Sequence, residues 1–499
     1  GEQLEKHEIA KSLLSQSLAS KKDLATFSRI WEACSEMGVY IQQGFPCKEV
    51  FGNYLSEFNL EHFDKIPAQD ASEGKSSIID FISKPIEKVN GDDDINQTDR
   101  FQPIIDFSNF LLIVLKLTLM EYEYFNATDF ALDDKELLIE FQKAIKSVDN
   151  QEDFTKKFAF NLLKAKYLLD NYMVHHVSNS KEKTGDNPWM LQYYYQENSK
   201  KKYPKNLCDD DDQQKELVHL LSMFEVSFTP KQRKNYLFYC LLHLFNNSDE
   251  SEYLKFVRDL ANKYFFGVYM NKACLNERNQ PLPNAFDNTI IKDGKISLDI
   301  ENGINFYHIF EEIYKQGESD IPLFVFNYTD YRLWAKYASD LRGNKTKTTS
   351  SSRKQFFEDL GCSDFGLDPF NNFYFSRTRK SLEHFYPRAK TVDKDVATDG
   401  DITLQQVNCF GNFAMIGAEA NASGSNWDPK TKLDHYMDAK SDPISVASLK
   451  FKIMMQMCLD NTKAIQNGTI ERKYGKDWNV EDMTTHQARM LNIITDFQH

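Results

Sequence analysis

The sequence predicts a mainly helical protein with one short β-β-α unit in its C-terminal part. Glycine and proline, which interrupt helices, number only 20 and 14 among 499 residues. Apolar residues recur at helical spacing along most of the chain, beginning with Leu4, Ile9, Leu13 and Leu14. Between residues 373 and 439 the pattern changes to a short strand, a loop, a second short strand and a helix.

Helical periodicity predicts most of the elements in order. The most apolar run, 110–120, contains Lys116 and Thr118 and is too short to cross a bilayer, so it predicts a buried core helix. Residues 321–328 are apolar and fit either a buried strand or the start of a helix. Polar stretches at 66–100, 178–186 and 199–212 predict loops. The predicted helices are 1–20, 107–125, 134–148, 152–172, 230–269, 430–439, 443–467 and 480–497.

The length of the chain suggests about three domains. Residues 343–353, with the sequence GNKTKTTSSSR, are small, polar and basic, which is typical of a linker. We therefore expect the main domain boundary at residue 343, with a large helical part before it and the β-β-α unit after it.

Charge is unevenly distributed along the chain. The net charge is −14, yet residues 332–390 carry 12 Lys and Arg against 6 Asp and Glu. A basic segment in an acidic protein favours contact with phosphate at one place only. The alternative is ordinary variation of surface charge.

The eight cysteines include no CxxC pair, so their spacing indicates neither a zinc ribbon nor a disulfide framework. Reduced cysteines predict a cytoplasmic protein. The N-terminus lacks a basic-then-apolar signal pattern, and we expect no membrane association.

Glu383, His384, Asn412 and Asn421 are the residue types that hydrolysis of a phosphodiester needs. Histidine, with an ordinary pKa of ~6.5, can deprotonate water near neutral pH, and Asn412 can orient its ring. The oxygens of Glu383 and Asn421 suit Mg²⁺ or Mn²⁺. Glu383 and His384 would face opposite sides of a strand, but at a strand end, with Pro387 fixing the turn, both can approach one site.

The ordered combination of these residues carries the prediction. A Glu-His dipeptide alone indicates ordinary surface, and Gly411-Asn412 alone indicates a turn. Basic side chains near the pair are the candidate contacts to nucleic-acid phosphates. They are Arg377, Arg379, Lys380, Arg388, Lys430 and Lys432.

The motifs resemble a known family. Residues 379–387 (RKSLEHFYP), 407–413 (VNCFGNF) and the Asn421-x4-Asn426 pair, followed by Lys430 and Lys432, resemble the C-terminal HNH nuclease domain of GmrSD-type restriction endonucleases. Residues 1–11 (GEQLEKHEIAK) are similar to the end of that family's N-terminal ParB/sulfiredoxin-like, nucleotide-hydrolysing domain.

The resemblance implies a domain order and residue roles. Residues 1–20 would end the N-terminal domain, 21–342 would form a helical middle domain, and 343–499 would form a ββα-metal (HNH, His-Me finger) nuclease domain with flanking helices. His384 would be the general base, Asn412 its orienting partner, and Glu383 and Asn421 the ligands of one Mg²⁺ or Mn²⁺. Supporting structural residues would be Pro387, Asn408, Gly411 and Asn426.

The resemblance also implies the function. The chain would be a metal-dependent endonuclease that cuts foreign or modified double-stranded DNA in phage defence. Its partners would be DNA, the N-terminal nucleotide-hydrolysing domain and, in a homo-oligomer, further copies of itself. Two alternatives stay open: a helical module that binds DNA or a partner through an inactive nuclease-like unit, and an RNA-cleaving toxin.

Overall fold

The structure is a computed structural model that forms two compact units. The first comprises Gly1–Lys183, Trp189–Asp209 and Tyr236–Glu250, and the second comprises Thr184–Pro188, Asp210–Asn235 and Ser251–His499. The predicted boundary at residue 343 does not coincide with this division. The structure describes all residues except 1–4, 68–99, 178–188, 198–200, 302, 316, 318–319, 343–348, 418–425, 437–447, 473–476 and 497–499.

The first unit is built around one long helix, α7, which packs against α2 and α5. Helix α5 contains the most apolar run of the chain, and its residues 110–115 are fully buried, which confirms the predicted core helix. Polar caps explain where the principal helices begin, since Ser20, Asp106 and Asn150 accept backbone N–H groups of α2, α5 and α7. The helices are α1 Lys6–Ser15, α2 Lys21–Ser35, α3 Ile41–Gly44, α4 Lys48–Phe51, α5 Phe107–Leu119, α6 Leu137–Ser147 and α7 Gln151–Tyr172.

Two small antiparallel sheets also belong to the described part of this unit. Strands β1 Phe101–Gln102 and β2 His176–Val177 form one, and β3 Gln192–Glu197 and β4 Lys201–Asn206 form the other. The β3–β4 hairpin corrects the prediction of a helical pattern and a polar loop in this region. Its three consecutive tyrosines are typical of strands, and this signal outweighed the lysines that suggested a loop.

The second unit is built around helix α13, Leu323–Tyr337. This helix packs against α8 (Asp211–Ser227), α18 (Leu449–Gln466), α19 (Val480–Thr495) and strand β8 (Phe413–Ile416). Helix α13 resolves the ambiguity at residues 321–328, because that segment leads into it. The division between the units falls within α9. The elements up to α13 are α8 Asp211–Ser227, α9 Pro230–Asn246, α10 Glu250–Lys263, α11 Ala285–Ile290, β5 Ile291–Lys292, β6 Lys295–Ile296, α12 Phe306–Ile313 and α13 Leu323–Tyr337.

The described end of the predicted linker contains the start of a helix. Residues 343–348 lie outside the described part of the chain, but helix α14, Ser350–Leu360, begins inside the predicted linker. Thr349 caps this helix by accepting the N–H of Ser352 at 3.1 Å. The small polar residues that suggested a linker therefore also act as a helix start.

The C-terminal part has the predicted order of strand, loop, strand and helix. Strands β7 Ser381–His384 and β8 Phe413–Ile416 pair antiparallel, with Glu383 opposite Ala414 and His384 opposite Phe413. The remaining helices are α15 Asp368–Asn371, α16 Leu404–Val407, α17 Pro429–Tyr436, α18 Leu449–Gln466 and α19 Val480–Thr495. The described chain is thus mainly helical, with small two-stranded sheets, and none of its helices has the length and apolarity to cross a membrane.

Candidate functional site

The β7–β8 hairpin brings the predicted acid and base to the end of one strand. Glu383 is 4% exposed, whereas the next residue, His384, is only half-buried. This difference follows from strand geometry, because successive side chains point to opposite faces. The strand ends where the N–H of Phe385 donates to the carbonyl oxygen of Asn412 at 2.8 Å, and Pro387 follows in extended conformation.

His384 is held by a side chain that the sequence had placed in a supporting role. Its Nε2 lies 2.8 Å from Oδ1 of Asn408, and its ring centroid lies 4.2 Å from that of Phe413. An amide oxygen accepts hydrogen bonds, so Nε2 carries the proton and Nδ1 carries the lone pair. Burial lowers the pKa of His384, and the nearby charges of Lys432 and Arg388 lower it further, while the Asn408 hydrogen bond opposes this. The ring is therefore neutral near pH 7.

The side chain of Asn412 has different partners from the one predicted. Its side chain is fully buried, and its Oδ1 accepts from the N–H of Tyr386 at 2.8 Å and from Nε1 of Trp478 at 3.1 Å. Its Nδ2 donates to the carbonyl oxygens of Tyr386 and Val407, both at 3.0 Å. These four bonds saturate the amide. The expectation that Asn412 orients His384 is corrected: Asn408 makes that contact, and Asn412 ties the strand end to its surroundings.

Glu383 forms a buried ion pair with Lys432 of α17. The Lys432 ammonium also donates to the carbonyl oxygens of His384 and Phe385. Burial raises the pKa of Glu383 and lowers that of Lys432, and each partner opposes the shift of the other. Lys432 is 0% exposed, so the prediction that it contacts nucleic-acid phosphate is wrong. It acts instead as a tie between helix α17 and the end of β7.

The described residues around Glu383 do not form an open metal site. The carboxylate of Glu383 is engaged by the Lys432 ammonium, and Asn421, the second predicted ligand, lies outside the described residues. Within the described part of the chain, no group of three or more His, Cys, Asp or Glu side chains is arranged to hold a metal ion. Among the described residues, the predicted Mg²⁺ or Mn²⁺ has no donor set that fits it, and it stays a prediction.

The other basic side chains that were predicted to contact phosphate differ in their exposure. Arg379 is 2% exposed, and its guanidinium donates to the carbonyl oxygen of Tyr374 at 2.7 Å, so its predicted role is wrong. Arg377 is half-buried. Lys380, Arg388 and Lys430 are exposed and stay available to a polyanion.

The supporting residues act through packing. A Cβ on Gly411 would lie 1.8 Å from the carbonyl oxygen of Met483, so glycine is required where α19 crosses the turn before β8. Pro387 is buried, while Asn426 is exposed in a turn before α17.

Sequence reasoning assigned no role to Lys450 or Trp478. Lys450 is 1% exposed, and its ammonium donates to the carbonyl oxygens of Phe410 at 2.8 Å and Phe413 at 2.5 Å. Burial lowers its pKa to about 7. Both residues lie far along the chain from the turn that they contact, so no local pattern indicated these contacts.

Comparisons with protein-family models, with curated proteins and with solved structures return no match. A function for this chain must therefore be argued from the geometry around His384 and from the sequence motifs.

Proposed function

We propose that this chain is an endonuclease that hydrolyses phosphodiester bonds in DNA, with His384 as its general base. The observation that carries the proposal is the state of the His384 ring. It is half-buried at a strand end, its Nε2 is held by Asn408 at 2.8 Å, and its pKa is lowered. A neutral, oriented imidazole whose Nδ1 has the lone pair is what a general base requires.

The chemistry depends on that ring. Nδ1 of His384 accepts a proton from water while the water oxygen attacks the phosphorus. The bond from phosphorus to the leaving sugar oxygen breaks, and that oxygen takes a proton from solvent. Asn408 is a positioning residue here, because its amide oxygen keeps the proton on Nε2 and thereby keeps Nδ1 unprotonated.

The surroundings favour an anionic substrate. Arg388 is exposed, and its charge is close enough to lower the pKa of His384. Lys380 and Lys430 are exposed on the neighbouring segments. Lys390 is committed to Asp428 at 3.0 Å, so it contributes less to substrate binding. Exposed arginine and lysine near a base are suited to phosphate contacts.

The order β7, β8 and α17 supports a ββα-metal (HNH, His-Me finger) unit, and the sequence motifs support a place in the GmrSD-type restriction family. On that basis the substrate is foreign or modified double-stranded DNA, and the N-terminal nucleotide-hydrolysing domain is the natural partner. A divalent ion would neutralise charge on the phosphate and leaving oxygen. Because Lys432 engages Glu383, no step is assigned to such an ion.

One rival function has its own support. The Glu383–Lys432 ion pair is buried, which suits a unit that has lost catalysis and binds DNA or a partner instead. In this rival function the hairpin and α17 form a rigid scaffold. The two functions differ in whether His384 acts on a bond.

A nicking assay on supercoiled plasmid separates them. The full chain is incubated with plasmid and, separately, with duplex and structured RNA, each with EDTA, Mg²⁺ or Mn²⁺. We expect relaxed or linear DNA from the wild type and a loss of at least about a hundredfold in rate for His384→Ala, the scale of one general base. Dependence on Mg²⁺ or Mn²⁺ would support the predicted metal.

The same assay includes a matched histidine variant as a control. His308 lies on α12 with a side chain that is 68% exposed, and His308→Ala is expected to cut as the wild type does. Equal cutting by His384→Ala would contradict the proposal. DNA binding without cutting under every condition would favour the rival, and cutting of RNA alone would reassign the substrate.

A further inference from the structure

A second surface, far along the chain from His384, has the chemistry of a binding site. It lies on the β3–β4 hairpin of the first unit, where Tyr193 pairs with Lys205 and Tyr195 pairs with Tyr203. Side chains two apart on a strand, together with their partners, share one face. Tyr193, Tyr195, Tyr203 and Lys205 therefore lie on the same side of the hairpin.

The opposite side of the hairpin is packed. Tyr194 is 3% exposed, its ring lies 5.5 Å from that of Tyr40, and its backbone N–H donates to Oδ1 of Asn171 at 2.8 Å. These contacts fix the hairpin on the helical body. The tyrosines of the other face are only partly buried. The hairpin thus presents a rigid aromatic face away from the core.

The rings on this face form one continuous cluster. Tyr195 lies 5.8 Å from Tyr203 and 6.3 Å from Tyr193, measured between ring centroids. Tyr54 stacks on Tyr195 at 5.6 Å with an interplanar angle of 8°, and it is 49% exposed. The N–H of Gln196 donates to the carbonyl oxygen of Tyr54 at 2.9 Å, which holds that ring in register with the strand.

A lysine lies among the rings of this face. The ammonium of Lys205 lies 3.8 Å from the centroid of Tyr195 and 5.7 Å from that of Tyr203. On this face Lys205 is the described cation and Glu197 the described carboxylate. Glu197 accepts from the Tyr203 hydroxyl at 3.2 Å, whereas the ammonium of Lys205 lies against the rings.

We infer that this face binds single-stranded nucleic acid, with bases stacked on Tyr54, Tyr195 and Tyr203 and a phosphate beside Lys205. Aromatic rings on a sheet face stack unpaired bases, and lysines between them neutralise the backbone. A duplex buries its base faces and offers none to these rings. The inference does not depend on cleavage at His384.

The test measures the binding of a fluorescein-labelled (dT)12 oligonucleotide to the full chain by anisotropy, in EDTA and in the His384→Ala background so that the probe stays intact. We expect Tyr195→Ala to weaken binding roughly tenfold, the scale of one stacked base. Tyr195→Phe keeps the ring and is expected to bind as the parent does. Tyr54→Ala, at a more exposed position, provides a second variant if Tyr195→Ala fails to fold.

Salt dependence tests the lysine separately. Removal of one phosphate contact by Lys205→Ala is expected to reduce the slope of log K against log salt by about 0.7. Matched controls come from the same unit: Tyr124 is 58% exposed, and the side chain of Lys143 is 65% exposed. Tyr124→Ala and Lys143→Ala are expected to leave both affinity and slope unchanged.

The outcomes are decisive for this face whatever happens in the nicking assay. No binding of (dT)12, or equal binding by Tyr195→Ala and Tyr54→Ala, overturns the inference. Binding of a twelve-base-pair duplex that Tyr195→Ala weakens as much as it weakens binding of (dT)12 also overturns it.

Discussion

At the residue scale, the candidate site depends on which of two asparagines touches the histidine. Asn408 and Asn412 are four residues apart, and both were singled out by the motif. Only Asn408 reaches the His384 ring, at 2.8 Å, while Asn412 is saturated by four bonds to its own surroundings. Spacing alone could not distinguish a positioning residue from a structural one.

The two asparagines are expected to respond differently to alanine. Asn408→Ala removes a half-exposed contact, so it should lower the cleavage rate roughly a hundredfold through loss of ring orientation and change unfolding free energy by less than about 1 kcal/mol. Asn412→Ala leaves the buried donors of Tyr386 and Trp478 without an acceptor and should cost about 3 kcal/mol. Urea unfolding and single-turnover cleavage measure both, and the reverse pattern would contradict the assignment.

At the scale of elements, helix α17 is joined to strand β7 through one side chain. Lys432 reaches from the helix to Glu383 and to the carbonyl oxygens of His384 and Phe385. Gly411 sets a second junction, because α19 crosses the turn before β8 too closely for a side chain. Helical periodicity predicted these helices, but it carried no information on which strand each would meet.

Breaking the ion pair from one side is expected to be costly. Lys432→Met leaves Glu383 charged and buried without a partner, so unfolding free energy should fall by about 3 to 5 kcal/mol. In the double variant Lys432→Met/Glu383→Gln that charge is absent, so most of the lost unfolding free energy should be recovered. Lys430→Met, two residues away and exposed, is the matched control and should stay within about 0.5 kcal/mol of the wild type. If Lys432→Met and Lys430→Met lowered the unfolding free energy by similar amounts, the Glu383–Lys432 ion pair would not be the cause of the loss.

The close approach of α19 to Gly411 predicts the effect of adding a side chain there. Gly411→Ala places a methyl group against the backbone of Met483, so α19 must move, and we expect a loss of about 3 kcal/mol or more in unfolding free energy. Gly468 has a φ of 70° and open space around its Cβ position, so Gly468→Ala carries backbone strain alone, about 1 to 2 kcal/mol. Chemical denaturation of the two variants compares them, and equal losses would remove the case for a steric contact.

At the scale of the whole molecule, stability depends on histidines that burial keeps neutral. Burial lowers the pKa of His175 to about 4 and that of His219 to about 3, and it also lowers the pKa of His486. His219 lies among aromatic rings, with Trp334 at 4.4 Å and Phe373 at 5.4 Å between centroids. Unfolding exposes these histidines to water, where they regain a pKa of ~6.5.

The sign of the resulting pH dependence is fixed by these shifts. Below pH ~6.5 the unfolded chain binds protons that the folded chain does not, so stability falls as the pH falls. For His219 alone the difference between pH 7 and pH 5 is about 2 kcal/mol. His219→Phe should therefore lose less stability than the wild type on acidification, as measured by urea unfolding at both pH values. His308→Ala, at an exposed site, should follow the wild type, and an unchanged dependence in His219→Phe would refute this account.

The sequence by itself determined the helical class, the apolar core helix α5, the start of α17 and the β-β-α order around Glu383 and His384. These depend on local periodicity and strand propensity, which a short window of residues contains. It missed the β3–β4 hairpin, where strand-forming tyrosines and polar lysines gave opposing local signals.

Only the tertiary structure decided what the candidate site contains. In the structure Asn408, not Asn412, contacts His384. Arg379 and Lys432 are buried rather than exposed. Lys450 and Trp478 bond to residues of the turn at Gly411. The physical reason is that burial and partner choice depend on residues distant in sequence. Trp478 meets Asn412 across 66 residues of chain and Lys432 meets the carbonyl of His384 across 48, and no local pattern encodes such a meeting.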